Sequence, residues 1–184
     1  AGSAKPYCGL TVAILNAWWS LRSWQSHMVA HELWYQQIYS YQGILESLSG
    51  LAVNVRFISF DDFLKGIDRN IDVIINAGDA GTSYSGGEYW NNEKLVEAVR
   101  AWVREGHGFI GVGEPTAYQK NGRFFQLADV MGVDKELGFT LNEDKYNIEK
   151  KKHFITEDVG GKIDYGEGMK NVYALNGADV LDIT

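Results

Sequence analysis

What the sequence lacks narrows its possibilities before any motif is read. It has one cysteine, Cys8, in 184 residues, so no internal disulfide can form and a reducing compartment, the cytoplasm, is expected. It carries no Asn-x-Ser/Thr triplet, which points the same way. Basic residues are short, 17 against 24 acidic ones, and the formal charge of −7 argues against nucleic acid or an anionic membrane as partner. No apolar run approaches the ~20 residues that cross a bilayer, and no leader-like segment is visible. What remains is ordinary globular material, 45% apolar and 22% charged, at a length that suits one domain with a real core.

Aromatic residues are the exception to this plainness. There are six Trp, ten Tyr and eight Phe, many of them between Trp18 and Tyr41. Such a surplus fits a sugar site or a protein interface, and equally a bulky core. The first residues, Ala1-Gly2-Ser3, resemble an expression scar, so residues 1–9 read as a tag or linker remnant and 10–184 as a single α/β domain. The last, Val180-Leu181-Asp182-Ile183-Thr184, read as a strand cut off in mid-pattern, as expected of a piece of a larger protein.

Between those ends the apolar pattern alternates between two periods. Leu10 to Leu15 is a β-branched, apolar run of the kind buried on both faces of a sheet. Residues 16–30 have no clear period. Trp34, Ile38, Tyr41, Leu45 and Leu48 then form a helical stripe that Gly50 stops. Val53 to Ile58 alternates like a more exposed strand, and Phe60 to Leu64 begins a short helix. A third strand over Ile71 to Ile75 is followed by a helix with Asn92 as N-cap, Glu93 in its first turn and Leu95, Val96, Val99, Trp102 and Val103 on its buried face. Phe109 to Val112 is the fourth strand. After a polar loop, Phe124, Leu127, Ala128 and Met131 mark another helix, closed by Gly132.

Strands and helices in this alternation imply βαβ crossovers and a mostly parallel sheet in a three-layer, flavodoxin-like sandwich. The tail from Phe139 is charge-dense, with Lys150 to Lys152 a solvated face. Short strands at Phe154-Ile155, Val172 to Leu175 and Val180-Leu181 are expected to extend the sheet edge, with turns at Gly160-Gly161 and Gly166 to Gly168.

Open α/β sheets place ligands beyond the carboxyl ends of their strands. Three such ends stand out: Asn16-Ala17-Trp18, the Gly-rich stretch Asn76 to Trp90 with Asp79 at its start, and Gly113-Glu114-Pro115. Asp79 is either a ligand contact or an acid that accepts backbone N–H bonds to fix its loop. Glu114 is a general base, a hydrogen-bond acceptor for a ligand, or an acid capping the turn that follows. Arg22 binds an anion or pairs with Asp79 or Glu114. The loop lacks both the Gly-Lys-Ser/Thr of a P-loop and the tight Gly-x-Gly-x-x-Gly of a dinucleotide fold. His27 and His31 have helical spacing, but Tyr35 breaks the His-Glu-x-x-His pattern, so packed histidines are expected rather than a metal site. His107 reads as surface, and His153 has no evident partner.

The Gly111-Val112-Gly113-Glu114-Pro115 turn is similar to the nucleophile turn of class I glutamine amidotransferases, with neither Cys nor Ser at the nucleophile position. Its closely spaced glycines are expected to serve close packing. Longer strings carry a more specific resemblance: Val12 to Trp18 with Leu21-Arg22-Ser23-Trp24, Trp34 to Tyr41, Arg56 to Asp62, Phe109 to Pro115, Gly122 to Leu127, and His153 to Thr156. Together they resemble the central domain of β-1,3-galactosyl-N-acetylhexosamine phosphorylases, also called galacto-N-biose/lacto-N-biose phosphorylases.

That resemblance implies a cytosolic, multidomain and homo-oligomeric enzyme without cofactor. It would cleave a galactosyl disaccharide with phosphate, giving α-galactose 1-phosphate and an N-acetylhexosamine. It also implies a catalytic acid on a preceding barrel domain, of which this chain has no pattern. Asn16, Arg22, Asp79 and Glu114 are then candidates to stand near substrate, with no catalytic residue among them. Two other readings stay open: a pure dimerisation or interaction module, and a small stand-alone hydrolase using Glu114 and Asp79.

Overall fold

The structure, a computed structural model, describes residues 9–17, 33–136, 151–160 and 172–181, the side chains of 33–39 excepted. The sequence readings for Cys8, Arg22, His27, His31, Lys150, Gly161 and Gly166 to Gly168 lie outside the described residues, as do the side chains of Trp34 and Ile38.

Four parallel strands make the centre. They are β1 (Thr11–Asn16), β2 (Asn54–Ser59), β3 (Val73–Gly78) and β4 (Gly108–Gly113), in the order β2-β1-β3-β4. The two inner strands carry the most apolar sequence and are the most buried, β1 from Thr11 to Leu15 and β3 from Ile74 to Gly78. The outer strands, β2 and β4, are largely open. This is the parallel sheet expected from the alternating pattern.

Side-chain alternation gives the central sheet two core clusters, one per face, beside a third, smaller one at Ala117, Phe125 and Ala128. Ala13, Leu15 and Ile74 meet Phe60 and Phe63 of α2 (Phe60–Lys65) and Leu95, Val99 and Trp102 of α3 (Glu93–Arg104). Val12, Ile14, Ile75 and Ala77 meet Tyr41, Ile44 and Leu48 of α1 (Leu33–Leu48). Helices therefore lie on both faces, and the sandwich has three layers.

The helix ends follow local chemistry. Asn92 caps α3 by accepting from the Lys94 N–H at 3.0 Å, with Glu93 beside the positive end of the helix dipole. Ser59 caps α2 by accepting from the Asp62 N–H at 3.1 Å. Gly50, at φ +87°, follows the end of α1 as the pattern predicts.

Three expectations need correction. The polar loop after Pro115 is a hairpin of β5 (Ala117–Lys120) and β6 (Arg123–Phe125). Its two-residue turn, Asn121-Gly122, holds both residues at positive φ, +55° and +73°, as a tight hairpin turn requires. Phe124 therefore belongs to a strand. The following helix, α4 (Ala128–Met131), is a single turn closed by Gly132 at φ +71°.

The tail does not extend the main sheet. Phe154-Ile155 lies in a turn rather than a strand, drawn round by Thr156, whose N–H donates to the His153 carbonyl at 2.9 Å. Val172 to Ala174 is a strand, β8, but it pairs antiparallel with β7 (Val133–Lys135) in a separate two-stranded sheet. Val180-Leu181 is not a strand; the Leu181 carbonyl accepts a lone backbone bond from Lys151 at 2.8 Å.

Candidate functional site

The register of β3 and β4 sets Gly78 opposite Gly113, so Asp79 and Glu114 leave the sheet side by side. Glycine is required at both positions. A Cβ on Gly78 (φ +122°) would sit 2.7 Å from the Tyr84 Cβ, and one on Gly113 (φ +78°) would sit 3.1 Å from the Gly78 carbonyl oxygen. A Cβ on Gly111 would sit 2.5 Å from the Pro115 Cγ, so the close-packing role expected for Gly111 and Gly113 is borne out.

Glu114 is almost fully buried and ties three segments together. Its own N–H donates to the Gly78 carbonyl at 2.9 Å. Its Oε2 accepts from the Ala80 N–H at 3.0 Å, and its Oε1 takes the Lys135 ammonium at 2.5 Å. Lys135 lies 4.6 Å from the centre of the Phe124 ring, so its charge rests against an aromatic face as well. Next to it, buried Asp134 accepts from the N–H groups of Phe124, Phe125 and Lys135 at 3.2, 3.0 and 2.8 Å. Glu114, with both carboxylate oxygens bound, is a bracket between loops.

The Gly-rich stretch folds inward instead of opening to solvent. Residues 82–87 are all buried. The Asp79 carbonyl accepts from the hydroxyls of Thr82 and Ser85 at 2.8 and 2.6 Å. The Ser85 carbonyl takes the Asn76 side-chain amide at 3.1 Å and the Trp90 indole N–H. Ala17, just past β1, donates its N–H to the Ser83 carbonyl at 2.8 Å. Asp79 fixes its loop through its main-chain oxygen.

Asn16 donates its side-chain amide to the Ile58 carbonyl at 3.2 Å, across to β2. The structure thus brings Asn16, Asp79 and Glu114 to one edge of the sheet, while Arg22 lies outside the described residues. Behind them Tyr41 donates its hydroxyl to the Leu15 carbonyl at 2.9 Å and meets the Tyr84 ring edge-on at 4.8 Å. Burial, then the neighbouring Tyr84, pushes the Tyr41 phenol well above its ordinary range, so it stays a neutral donor.

Sequence reasoning missed Lys135 and the Thr82–Ser85–Asn76–Trp90 network. Lys135 follows Glu114 by 21 positions with no motif joining them, so only the chain fold reveals the pair. The Thr82 and Ser85 hydroxyls share a backbone oxygen as acceptor, which no side-chain pattern announces.

A shallow cleft of about 80 Å³ lies between the start of α3 and the β5–β6 hairpin, lined by Trp90, Asn91, Glu93, Lys120 and Gln126 among others. Small-molecule sites usually enclose ~300–1,000 Å³. It is too small for a disaccharide. Among the described residues no three His, Cys, Asp or Glu side chains gather to hold a metal ion, and no helix is long and apolar enough to cross a membrane. His107 is half-buried and stacks on Trp102 with ring centres 4.4 Å apart, and His153 accepts from the Ile155 N–H at 3.2 Å through Nδ1.

Residues 11–184 match the family described as lacto-N-biose phosphorylase central domain. A 1,3-beta-galactosyl-N-acetylhexosamine phosphorylase of Lachnoclostridium phytofermentans is 54% identical over 182 residues, 98% of this chain and 25% of that enzyme. One from Bifidobacterium longum is 51% identical over 201 residues, 91% of this chain and 27% of its own length. A D-galactosyl-beta-1->4-L-rhamnose phosphorylase of L. phytofermentans is 34% identical over 170 residues, 90% of this chain and 22% of the enzyme. The chain spans about a quarter of the length of the curated relatives it matches.

Proposed function

Because the chain belongs to the lacto-N-biose phosphorylase central-domain family, we propose that it is the non-catalytic central domain of a longer disaccharide phosphorylase. The whole enzyme would convert a β-1,3-galactosyl-N-acetylhexosamine and inorganic phosphate to α-galactose 1-phosphate and the free N-acetylhexosamine. It would do so without a cofactor, in the cytoplasm and as a homo-oligomer.

The chemistry needs one carboxylic acid and one nucleophile. The acid gives its proton to the glycosidic oxygen as the bond to the galactose anomeric carbon breaks. A phosphate oxygen bonds that carbon from the opposite face, inverting it, as water does in an inverting hydrolase. The acid resides on another domain, a barrel, in this reading.

The observation that carries the non-catalytic role is Glu114. It stands in the turn similar to the amidotransferase nucleophile turn, yet it engages the Ala80 N–H and the Lys135 ammonium. An acid so bound is set to brace a wall between loops. The stand-alone hydrolase reading gains no support from it. Alignment of this domain with enzymes named for two different acceptors, a hexosamine and a rhamnose, favours placing acceptor choice elsewhere in the polypeptide.

The test is phosphorolysis of lacto-N-biose by the 184-residue chain and by the longer polypeptide. Galactose 1-phosphate is expected only from the longer one. Its release by the 184-residue chain alone overturns the non-catalytic role.

A further inference from the structure

We propose that the open half of the α1-side sheet face, built on Val55 and Phe57 of β2, is the surface on which another domain of the same longer polypeptide docks. The proposal deepens the central-domain reading and rests on it.

The parallel register sets Val55 beside Val12 and Phe57 beside Ile14, so all four side chains stand on one face of the sheet. Val12 and Ile14 are sealed under α1, at 5% and 0% exposure, while Val55 and Phe57 next to them are 39% and 56% exposed. Val53, two residues earlier, still packs against the α1 cluster. Among the described residues, the cover therefore ends partway along β2. Leu10 continues the same alternation back from Val12 and is 56% exposed, and Leu51, in the turn before β2, is 58% exposed.

The alternation of β2 is written for a covered face. Val55 and Phe57 point to the bare side, while Ile58 packs into the sealed cluster on the other side and Arg56, also there, reaches the Asp68 carboxylate at 2.7 Å. A strand meant to face water there would carry its polar residues the other way round.

Area and charge decide the occupant. The four exposed side chains offer roughly 400 Å² of apolar surface, within the ~300–600 Å² of a monomer's largest patch and about half of the ~800 Å² per partner in a standard interface. A second copy would also bring another net charge of −7 to the contact. A tethered domain needs far less area, because its effective concentration is of millimolar order without any further contact. The chain spans only about a quarter of its relatives' length, so a tethered occupant of ample size is at hand.

Hydroxyl-radical footprinting reads the side chains directly. Oxidation of Phe57, Leu51 and Leu10 is measured in the 184-residue chain and in the longer polypeptide. At least ~5-fold slower oxidation of Phe57 in the longer polypeptide is expected, with the 184-residue chain reacting equally at low and high concentration. Equal rates in both polypeptides overturn the proposal. So does protection already complete in the 184-residue chain, and so does protection that grows with its concentration, which assigns the face to a second copy.

A second measurement guards against misfolding. Phe57→Gln is expected to leave the melting temperature of the 184-residue chain within ~2 °C, and to lower that of the longer polypeptide by more. Equal shifts overturn docking. Phosphorolysis by the longer polypeptide is followed separately, so a missing activity with a protected Phe57 refutes the functional reading and leaves the docking face standing.

Discussion

The two faces of the central sheet are finished to different degrees. On the α2/α3 side the chain seals itself: Phe60, Ile74, Leu95 and Val99 are entirely buried, and Trp90 nearly so. Phe60 stacks on Tyr89 at 4.9 Å and meets Trp90 edge-on at 5.4 Å, so the aromatic surplus has a structural use on this side. On the α1 side the cover reaches β1 and β3 and stops short of both flanks, leaving Val55 and Phe57 on β2 and Ile110 on β4 in the open. Burial stabilises in proportion to apolar area removed from water. The sealed face thus supplies most of this chain's own stability, and the open one holds surface for something larger.

The largest expected effect tests the sealed face. Phe60→Ala should destabilise the chain by ~3–5 kcal/mol, measured by denaturant unfolding, because a closely packed ring is lost and its cavity remains. At the strand ends where both faces meet, Glu114→Gln removes the charge that Lys135 answers. It should cost ~1.5–3 kcal/mol, the range for hydrogen bonds to charged groups. In the longer polypeptide the same substitution should lower kcat/KM by about 10–100-fold, equivalent to that range and far from the loss of a catalytic acid.

On the α1 face, Tyr41→Phe deletes only the hydroxyl bonded to the Leu15 carbonyl, and a loss of ~1 kcal/mol is expected from the same unfolding measurement.

A smaller effect depends on pH. The Arg100 guanidinium, through its hydrogen bond, holds the Asp129 carboxyl below its usual range. A depressed folded pKa contributes stability that is full above the unfolded value of about 4 and fades as pH falls through the lower folded one. Asp129→Asn should flatten the acid limb of the melting curve below about pH 4, by less than ~1 kcal/mol because the half-exposed pair is screened.

The smallest effect closes the comparison. Phe57→Ala in the 184-residue chain should change stability by no more than ~0.5 kcal/mol, as an exposed substitution does. The same chemistry three residues away, at Phe60, costs several times more. Equal costs would erase the difference between the faces.

The sheet was legible because its evidence is periodic. Burial forces Thr11 to Leu15 and Ile74-Ile75 to be small or apolar, and forces the α3 stripe onto every third or fourth residue, so those elements show in the letters themselves. The β5–β6 hairpin was missed although Asn121-Gly122 announces it, because Phe124, Leu127 and Met131 fall at helical spacing without forming one helix. Asn16, Asp79 and Glu114 were legible as strand-end residues because the alternating pattern fixes where each strand stops. Their roles were not. Whether Glu114 is a base or a bracket depends on Lys135 and Ala80, which meet it only after β3, β4 and β7 are in place.

The strand order carries one more consequence, for the order of events during synthesis. β1 emerges first yet lies at the centre, with β2 and then β3 as its neighbours. About 60 residues separate its end from the end of β3. At ~5–20 residues per second a ribosome needs roughly 3–12 s to supply them. For about the first two-thirds of that interval β2 is itself still being made, and for the rest Val12 and Ile14 stand beside β2 alone. The nascent chain therefore shows its stickiest strand early, and the pace of translation governs how long that strand waits for β3.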